Sequence, residues 1–480
     1  MTTLSRDSIG WRGQFFQAMA HMAPAIGVAM NAQFIASRAG AAMPLASAFG
    51  MVLALLLAYC LALLTRLYYG ASGYFQIHSR ALGSGVGFVT SWLFLMYEPL
   101  NAFFNLFGYG VLILGPFSKA NFGFEIPWWG CVAAGSLIVT VLSASNVKSS
   151  IRTTALLGMF EVIVFTAMGA LLLWKSDNAF HPAYFTPAAS AEGGGGLLFG
   201  FIFSFMAFVG YESGLPLTEE TRDAKSTMFK GIMTSVLLAG IFYVFVNYAT
   251  VVGFGGGDDP AGFAKAFSGA ENPYGSTLAV KAFGAFGVWL VFFATLNSAI
   301  ACGLAGQNAA ARVFFALGRA GIMPRALGVA DPKTGSPKRA SYFATVITFI
   351  AIPVFLFLVG KGNAMDWFGM AGVAIVLALL VIHLMTCVSV FIAYRREEGH
   401  DFHAIHHGVI PVITGLLVLL PIWGAVHYNP DPPMSYAPWI VLAWFVVGLF
   451  VYAWLRANRP ATLKALESEM EKLEHQGTHA

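Results

Sequence analysis

Three carboxylates stand where a carboxylate is costly. Glu98 lies in "MYEPLNAFF", Glu161 in "LGMFEVIVF" and Glu212 in "FVGYESGLPLTEE", each within or at the edge of an apolar run. Charged groups at hydrocarbon depth are expensive and are functional candidates by default. A carboxyl in such a place can take up and release a proton as its access to water changes. Glu161, eight residues into its run between Phe160 and Val162, is the first candidate for that role. Glu98, beside Pro99 and Asn101, competes with a plainer reading as an interface or hydrogen-bonded residue. Glu212 can equally be a structural cap or a contact for substrate or proton.

Two runs carry helix breakers at their middles. The first contains "HMAPAIGVAMNAQ" (21–33), with Pro24 and Gly27; the sixth contains "AFVGYESGLP" (207–216), with Gly210, Gly214 and Pro216. Proline removes a donor and clashes with the preceding turn, and glycine lowers the cost of leaving the helix. Freed backbone groups inside hydrocarbon persist only where they face protein or a wet cavity, so two breaks imply a cavity between these segments. The N–H groups that open the second half of run one, near Gly27 to Met30, suit a carboxylate, and Ala25, Ile26, Gly27, Val28 and Met30 are the substrate-binding candidates there. The carbonyls that close the first half of run six, at Met206, Ala207 and Phe208, suit an ammonium. Gly210 and Tyr211 complete that break, and Glu212 falls at the start of the lower half-helix, where an acid can cap exposed N–H groups. Together these groups describe a site for a zwitterion. Phe205 and Phe208 flank the break and are candidate gates.

The elements that hold these residues follow from composition. The chain has 480 residues, 58% hydrophobic and only 10% charged, against about 25% charged in soluble domains. Twelve apolar runs have lengths near those of membrane helices: 15–37, 43–65, 86–113, 127–146, 153–174, 197–217, 230–254, 284–314, 340–359, 366–394, 409–427 and 436–457. They are apolar on all sides, unlike the alternating strands of a barrel. With the N-terminus inside and twelve crossings, 21 of the 27 Lys and Arg fall in cytoplasmic segments, the asymmetry that the positive-inside rule expects. Both termini are then cytoplasmic and the net charge of +4 reflects topology, not nucleic acid. The first run reads as a retained helix, although Arg6 and Arg12 before it resemble the basic start of a signal. Cys60, Cys131, Cys302 and Cys387 all fall in runs with no CxxC spacing and read as buried thiols.

"GGGG" (193–196) and "GFGGGDDP" (253–260) lack the Gly-Lys-Ser/Thr of a phosphate loop and read as flexible outer connections. The stretch 258–283 is long for a loop and has room for short surface helices. His403 and His407, four apart in "HDFHAIHHG" (400–408), have metal-ligand spacing on a helix, but a polar cytoplasmic loop is the simpler reading and no metal or cofactor is expected. Residues 459–480 read as a charged cytoplasmic tail helix.

The breaks lie five runs apart, an odd number. Runs 1–5 (15–174) and 6–10 (197–394) would then be repeats of opposite orientation, the layout of inverted-repeat transporters with a midplane site, followed by an extra helix pair (409–457). At this point the chain resembles the amino acid–polyamine–organocation transporters of the LeuT-type fold. The Phe-x-Gly-Tyr-Glu of 208–212 with Glu219 and Glu220 is similar to the family's sixth helix and its exit. "AARVFFALGRAGIMPRAL" (310–327) with "SPKRAS" (336–341) is similar to its eighth-helix end. The likeness spans about 10–455. "PAIG" replaces the family's small glycine-serine break, and prolines often found after the Glu-Glu pair are absent from "TRDAKSTM". Some proton-coupled relatives place a lysine where Glu161 stands, and Ser298, between Asn297 and Ala299, gives no hydroxyl pair for sodium.

The resemblance implies an all-α membrane protein of twelve helices in one transporter domain (1–458). Its expected activity is proton-coupled secondary transport of an amino acid across the plasma membrane (the inner membrane in a Gram-negative cell) by alternating access. Its partners would be the bilayer, a small-molecule substrate, protons and, through runs 11 and 12, a second copy in a homodimer. A polyamine or monoamine carrier is the alternative, with Glu98 meeting ammonium groups. A nutrient sensor that binds without transporting is a further alternative, although no cytoplasmic output domain is expected. An enzyme would need paired acids or a nucleophile with its base at membrane depth, and His21 and His383 are unpaired in sequence.

Overall fold

A chain this apolar must satisfy its backbone within each segment, and helices do so. The computed structural model describes residues 4, 7–68, 71–145, 147–256, 259–397, 401–427 and 431–463. Among these the elements are helical; the only strand-like pairing is an isolated bridge between Ile9 and Thr221. Every apolar run contains helix. Run one divides into α1 (Trp11–Met22) and α2 (Pro24–Ala39), and run two is α3 (Met43–Leu67). A short helix that hydropathy does not reveal, α4 (Tyr74–Leu82), follows, tucked in by Tyr74, Phe75, Ile77 and His78. Run three is α5 (Ser84–Tyr97), a 3-10 turn at Glu98–Leu100, α6 (Asn101–Tyr109), a π turn and α7 (Gly115–Phe122). Runs four and five are α8 (Trp128–Ser143) and α9 (Val147–Trp174).

Run six is α10 (Gly193–Met206), which ends in a 3-10 segment, Tyr211–Glu220. Run seven is α11 (Ala224–Phe254). The long connection holds α12 (Pro260–Ser268) and α13 (Ala279–Phe283). Then come α14 (Ala285–Arg319), α15 (Lys338–Val359), α16 (Ala364–Arg396), α17 (Ile410–His427) and α18 (Ala437–Asn458). Ten helical stretches among the described residues are long and apolar enough to cross a membrane; one of them, Trp11–Leu67, holds runs one and two, and α8 is shorter.

Three local expectations need revision. The "GGGG" stretch is not a loop but the first turn of α10, where a Cβ on Gly196 would overlap the Arg38 carbonyl. The first-run break lies at Ala23 (φ 48°, ψ 69°), four residues before Gly27. Proline disfavours the α conformation at the residue before it, so α1 ends before Ala23, which sits in the left-handed region, and Pro24 starts α2, where a missing N–H costs nothing. The histidine stretch is a π turn, Ala404–Val409, in which the His407 ring stacks 3.6 Å from Tyr394. No group of three or more His, Cys, Asp or Glu able to hold a metal is present among the described residues. The expected tail helix beyond residue 463 lies outside the described residues.

Around the core, α2 packs on α10, α3 on α11, α6 on α14 and α8 on α15. Large apolar side chains on the rim, such as Val141, Trp439 and Phe450, face outward.

Candidate functional site

Two chain breaks meet at the centre. At one, α1 ends and α2 begins around Ala23; at the other, α10 ends at Met206 and the chain turns through Gly210 (φ 115°). Gly210 is required twice over: its backbone is one that L side chains rarely adopt, and a Cβ there would lie 2.6 Å from His21 Cγ. Between the breaks lies a cavity of about 40 Å³ lined by Ile26, Gly27 and Met30 of α2, Asn101 and Asn105 of α6, and Met206 and Ala207. That volume holds a few waters and is smaller than an amino acid.

The protein's own side chains satisfy the exposed backbone ends. The Tyr243 hydroxyl, from α11, lies 2.8 Å from the Met22 carbonyl oxygen and 2.7 Å from that of Ala207, so one phenol proton is shared between the last carbonyls of α1 and α10. Gly27 leaves the space for it, since a Cβ there would lie 3.1 Å from the Tyr243 oxygen. At the opening of α2, the Ala25 N–H donates to Glu161 Oε2 at 2.9 Å and the Ile26 N–H to Ser298 Oγ at 3.3 Å. The Gly27 N–H returns to the Ala23 carbonyl at 2.7 Å. The open donors are therefore those of Ala25 and Ile26, earlier than Gly27 to Met30. Glu161 Oε1 finds no hydrogen-bond partner.

A second group lies on the side of the cavity towards the N-terminus. Asn105 Nδ2 donates to Asn101 Oδ1 at 3.1 Å, which turns Asn101 Nδ2 to His21 Nε2 at 2.7 Å. An imidazole nitrogen that accepts leaves its proton on the other nitrogen, so His21 Nδ1–H faces Glu98 Oε1, 3.7 Å away. Neither Glu98 oxygen makes a hydrogen bond, and the side chain is fully buried behind His21. Glu212 accepts from the Gly210 N–H at 3.0 Å and from Tyr97 at 3.3 Å.

The residues named from sequence thus divide. Ile26, Gly27, Met30, Met206 and Ala207 line the cavity; Ala25 and Glu161 do not line it but bond to each other next to Ile26; Glu98 lies against His21 of the lining, and Glu212 bonds Gly210 and Tyr97. Val28, Gly210 and Tyr211 do not line it, and the Tyr211 hydroxyl lies 2.8 Å from His383 Nε2. Phe205 and Phe208 do not line it either; Phe208 is packed edge-on against Tyr243 at 5.1 Å. The rings above the cavity are others: Phe104 stacks on Phe368 at 4.5 Å and Phe34 on Phe203 at 4.6 Å. Sequence reasoning passed over His21, Asn105, Phe104 and Cys302 as site residues; His21 stood two residues before the break, the one signal that could have placed it.

Charge closes the other end. Arg312 Nε donates to Glu220 Oε2 at 2.7 Å with both side chains fully buried, and Arg319 Nη1 donates to Glu219 Oε1 at 3.0 Å. The segment before α1 adds to this closure, with the Ser8 and Ile9 N–H groups on the Glu220 carbonyl at 2.8 and 3.0 Å. The ring pairs and the two ion pairs thus stand apart from each other, with the breaks in α1–α2 and α10 between them.

Residues 9–451 match the family profile described as "Amino acid permease". The chain is 22% identical over 416 residues to the low-affinity putrescine importer PlaP of Escherichia coli (strain K12), covering 86% of this chain and 85% of that one. It is 25% identical over 343 residues to the branched-chain amino acid permease BcaP of Bacillus subtilis (strain 168), covering 68% and 63%. A cadaverine/lysine antiporter of Escherichia coli (strain K12) is 25% identical over 283 residues, covering 57% and 59%.

Proposed function

Since the chain belongs to the amino acid permease family, a family of membrane transporters, we propose that it carries an amino acid across the plasma membrane by proton-coupled alternating access. The carrying observation is the meeting of two broken helices at one buried cavity, bridged by the Tyr243 hydroxyl. Half-helix ends of this kind offer N–H groups to a carboxylate and carbonyls to an ammonium.

The packing supports twelve crossings in two repeats of five. Several helix contacts have a counterpart five runs away: α1 on α11 mirrors α10 on α3, α14 on α9 mirrors α5 on α16, α6 on α8 mirrors α14 on α15, and α11 on α9 mirrors α16 on α3. That exchange is what two copies of one five-helix unit would produce. Runs 1, 2, 6 and 7 rock against 3, 4, 5, 8, 9 and 10, and α17 and α18 are peripheral. The N-terminus and the ion-paired end are cytoplasmic, following the Lys and Arg distribution.

Glu161 is the coupling residue of this reading. It holds the Ala25 N–H that a substrate carboxylate would take. A substrate carboxylate that displaces it leaves Glu161 in a dry site, where it takes a proton. Glu212 and Glu98, below the cavity, are the next proton candidates.

One observation favours a second substrate class. Among the described residues no Lys or Arg lines the cavity, and Glu98 lies behind His21 with both oxygens unbonded. A cationic amine would relieve that carboxylate, and relatives named for putrescine and cadaverine are in keeping with this. Counterflow in proteoliposomes against a panel of amino acids and their decarboxylated amines separates the two. Exchange of amino acids supports the zwitterion site; exchange of amines alone overturns it, and exchange of neither overturns transport.

A further inference from the structure

A second cavity, of about 730 Å³, opens at the end of the bundle that holds the N-terminus, between α3, α11 and the turn into α17. Its wall includes Arg66 from the last turn of α3, Lys225 and Lys230 from the start of α11, and Asp401, His403 and His406. Among the described residues, none of Arg66, Lys225 and Lys230 is in an ion pair. Arg66 instead lies over the Phe229 ring at 4.2 Å, and the Tyr59 hydroxyl, 2.8 Å from His406 Nδ1, ties the turn to α3. Three cations face one acid, so the cavity is positive before any histidine is counted.

The wall continues into an apolar strip. Exposed Val52 of α3 and Leu237 of α11 each lie seven residues along their helices from Tyr59 and Lys230, about 10 Å deeper at the helical rise. Exposed Val409, Val412 and Leu416 run the same way along the turn into α17 and α17 itself. A free anion would use the basic pocket but not the strip. A lipid uses both: phosphate at the cations, acyl chains along the apolar side chains. Basic pockets between helices at the cytoplasmic face are suited to such headgroups.

We infer that this cavity binds the phosphate head of an anionic phospholipid of the cytoplasmic leaflet. The inference rests on the membrane placement proposed above but not on what the central cavity carries. The test uses the full chain, purified and offered equal amounts of phosphatidylglycerol and phosphatidylcholine, with retained lipid counted by native mass spectrometry and thermal unfolding followed in parallel. Wild type retains phosphatidylglycerol selectively. The exposed pair Lys225→Gln/Lys230→Gln weakens that binding roughly thirtyfold, from the usual worth of two basic residues at an anionic leaflet. The equally charged control Lys333→Gln/Arg339→Gln, elsewhere at the same end, retains it. Unfolding in phosphatidylcholine alone at the wild-type temperature shows that the variant is folded. Equal retention of the two lipids, undiminished binding by the folded variant, or stabilisation by inorganic phosphate alone to the same extent overturns the assignment.

Discussion

Neutralising Glu220 should loosen the ion-paired seal of the central cavity. Arg312 reaches Glu220 with two nitrogens, Nε at 2.7 Å and Nη2 at 3.4 Å, and the two side chains are 1% and 0% exposed. The pair ties the segment after α10 to α14, so on the proposed mechanism it would hold that end closed. Removing one partner of a buried pair costs about 3–5 kcal/mol, because the other charge stays behind. Glu220→Gln keeps the shape and can still accept from Nε, and Arg312 retains its bond to the Asn308 carbonyl at 3.0 Å, which places the loss near the lower bound. About 3 kcal/mol is a factor of roughly 150 in the closed-to-open ratio. The Arg319–Glu219 pair and the Ser8–Ile9 segment remain, so the seal is weakened, not abolished.

Cys302 reads this out, since it lines the cavity with Sγ 2.9 Å from the His21 carbonyl oxygen. With Cys60, Cys131 and Cys387 replaced by alanine, a membrane-impermeant thiol reagent is applied separately to each face in oriented vesicles. Glu220→Gln should raise the labelling rate from the N-terminal face at least about tenfold, with the full factor visible only if the closed state starts well populated. Replacing the whole pair by Met should restore slow labelling, because no buried charge is then left alone. Unchanged labelling in a folded variant, or acceleration only from the opposite face, would refute the assignment of this pair as a seal.

Other perturbations follow from the same geometry. Glu161→Gln should keep substrate binding, measured by thermal shift, and lose pH-driven accumulation; unchanged accumulation removes Glu161 from coupling. Gly210→Ala places a Cβ against His21 in a backbone that alanine resists, so the thermal midpoint should fall by several degrees, and an unchanged midpoint would mean that His21 moves freely. Tyr243→Phe strips the shared proton from the Met22 and Ala207 carbonyls. Burying these unsatisfied costs about 1–3 kcal/mol, and transport should fall at least tenfold while expression persists; wild-type transport would show that water replaces the hydroxyl.

How much of this was legible beforehand depended on the range of the interaction. Hydropathy found every long helix, because a membrane segment advertises its length in one uninterrupted stretch. It missed α4, which is short and held by Tyr74, Phe75 and His78 through contacts distant in sequence. Pro24 announced the first break, but its steric effect falls on Ala23, so the open N–H groups came earlier than the glycine suggested. Gly27 serves a different purpose, making room for a tyrosine more than two hundred residues away. The same limit hid the His21–Asn101–Asn105 chain, since a histidine and an asparagine in separate runs carry no mark of being paired. Among 43 phenylalanines, nothing local distinguishes Phe104 and Phe368 above the cavity from Phe205 beside it.

The position of Glu161 ties substrate class to energy coupling. The Ala25 N–H has one proton to give, and it already goes to Glu161 Oε2. A substrate with a carboxylate must therefore compete with Glu161 for it. The displaced side chain, with Oε1 already lacking a donor, would lose its bond to that N–H, which favours the neutral acid. On the proposed mechanism each such binding event would carry one proton with it. A decarboxylated amine makes no claim on that N–H. It can bind near the Ala207 carbonyl and the acidic side of the cavity while Glu161 stays in place, and its movement need not carry a proton through this residue. The two readings consequently differ in more than the substrate panel. For an amino acid, Glu161→Gln separates binding from accumulation; for an amine, the same change leaves the pH dependence of accumulation as it was. A variant that exchanges amino acids with wild-type proton dependence would break the link between the helix-end contact and coupling, whichever substrate the cavity prefers.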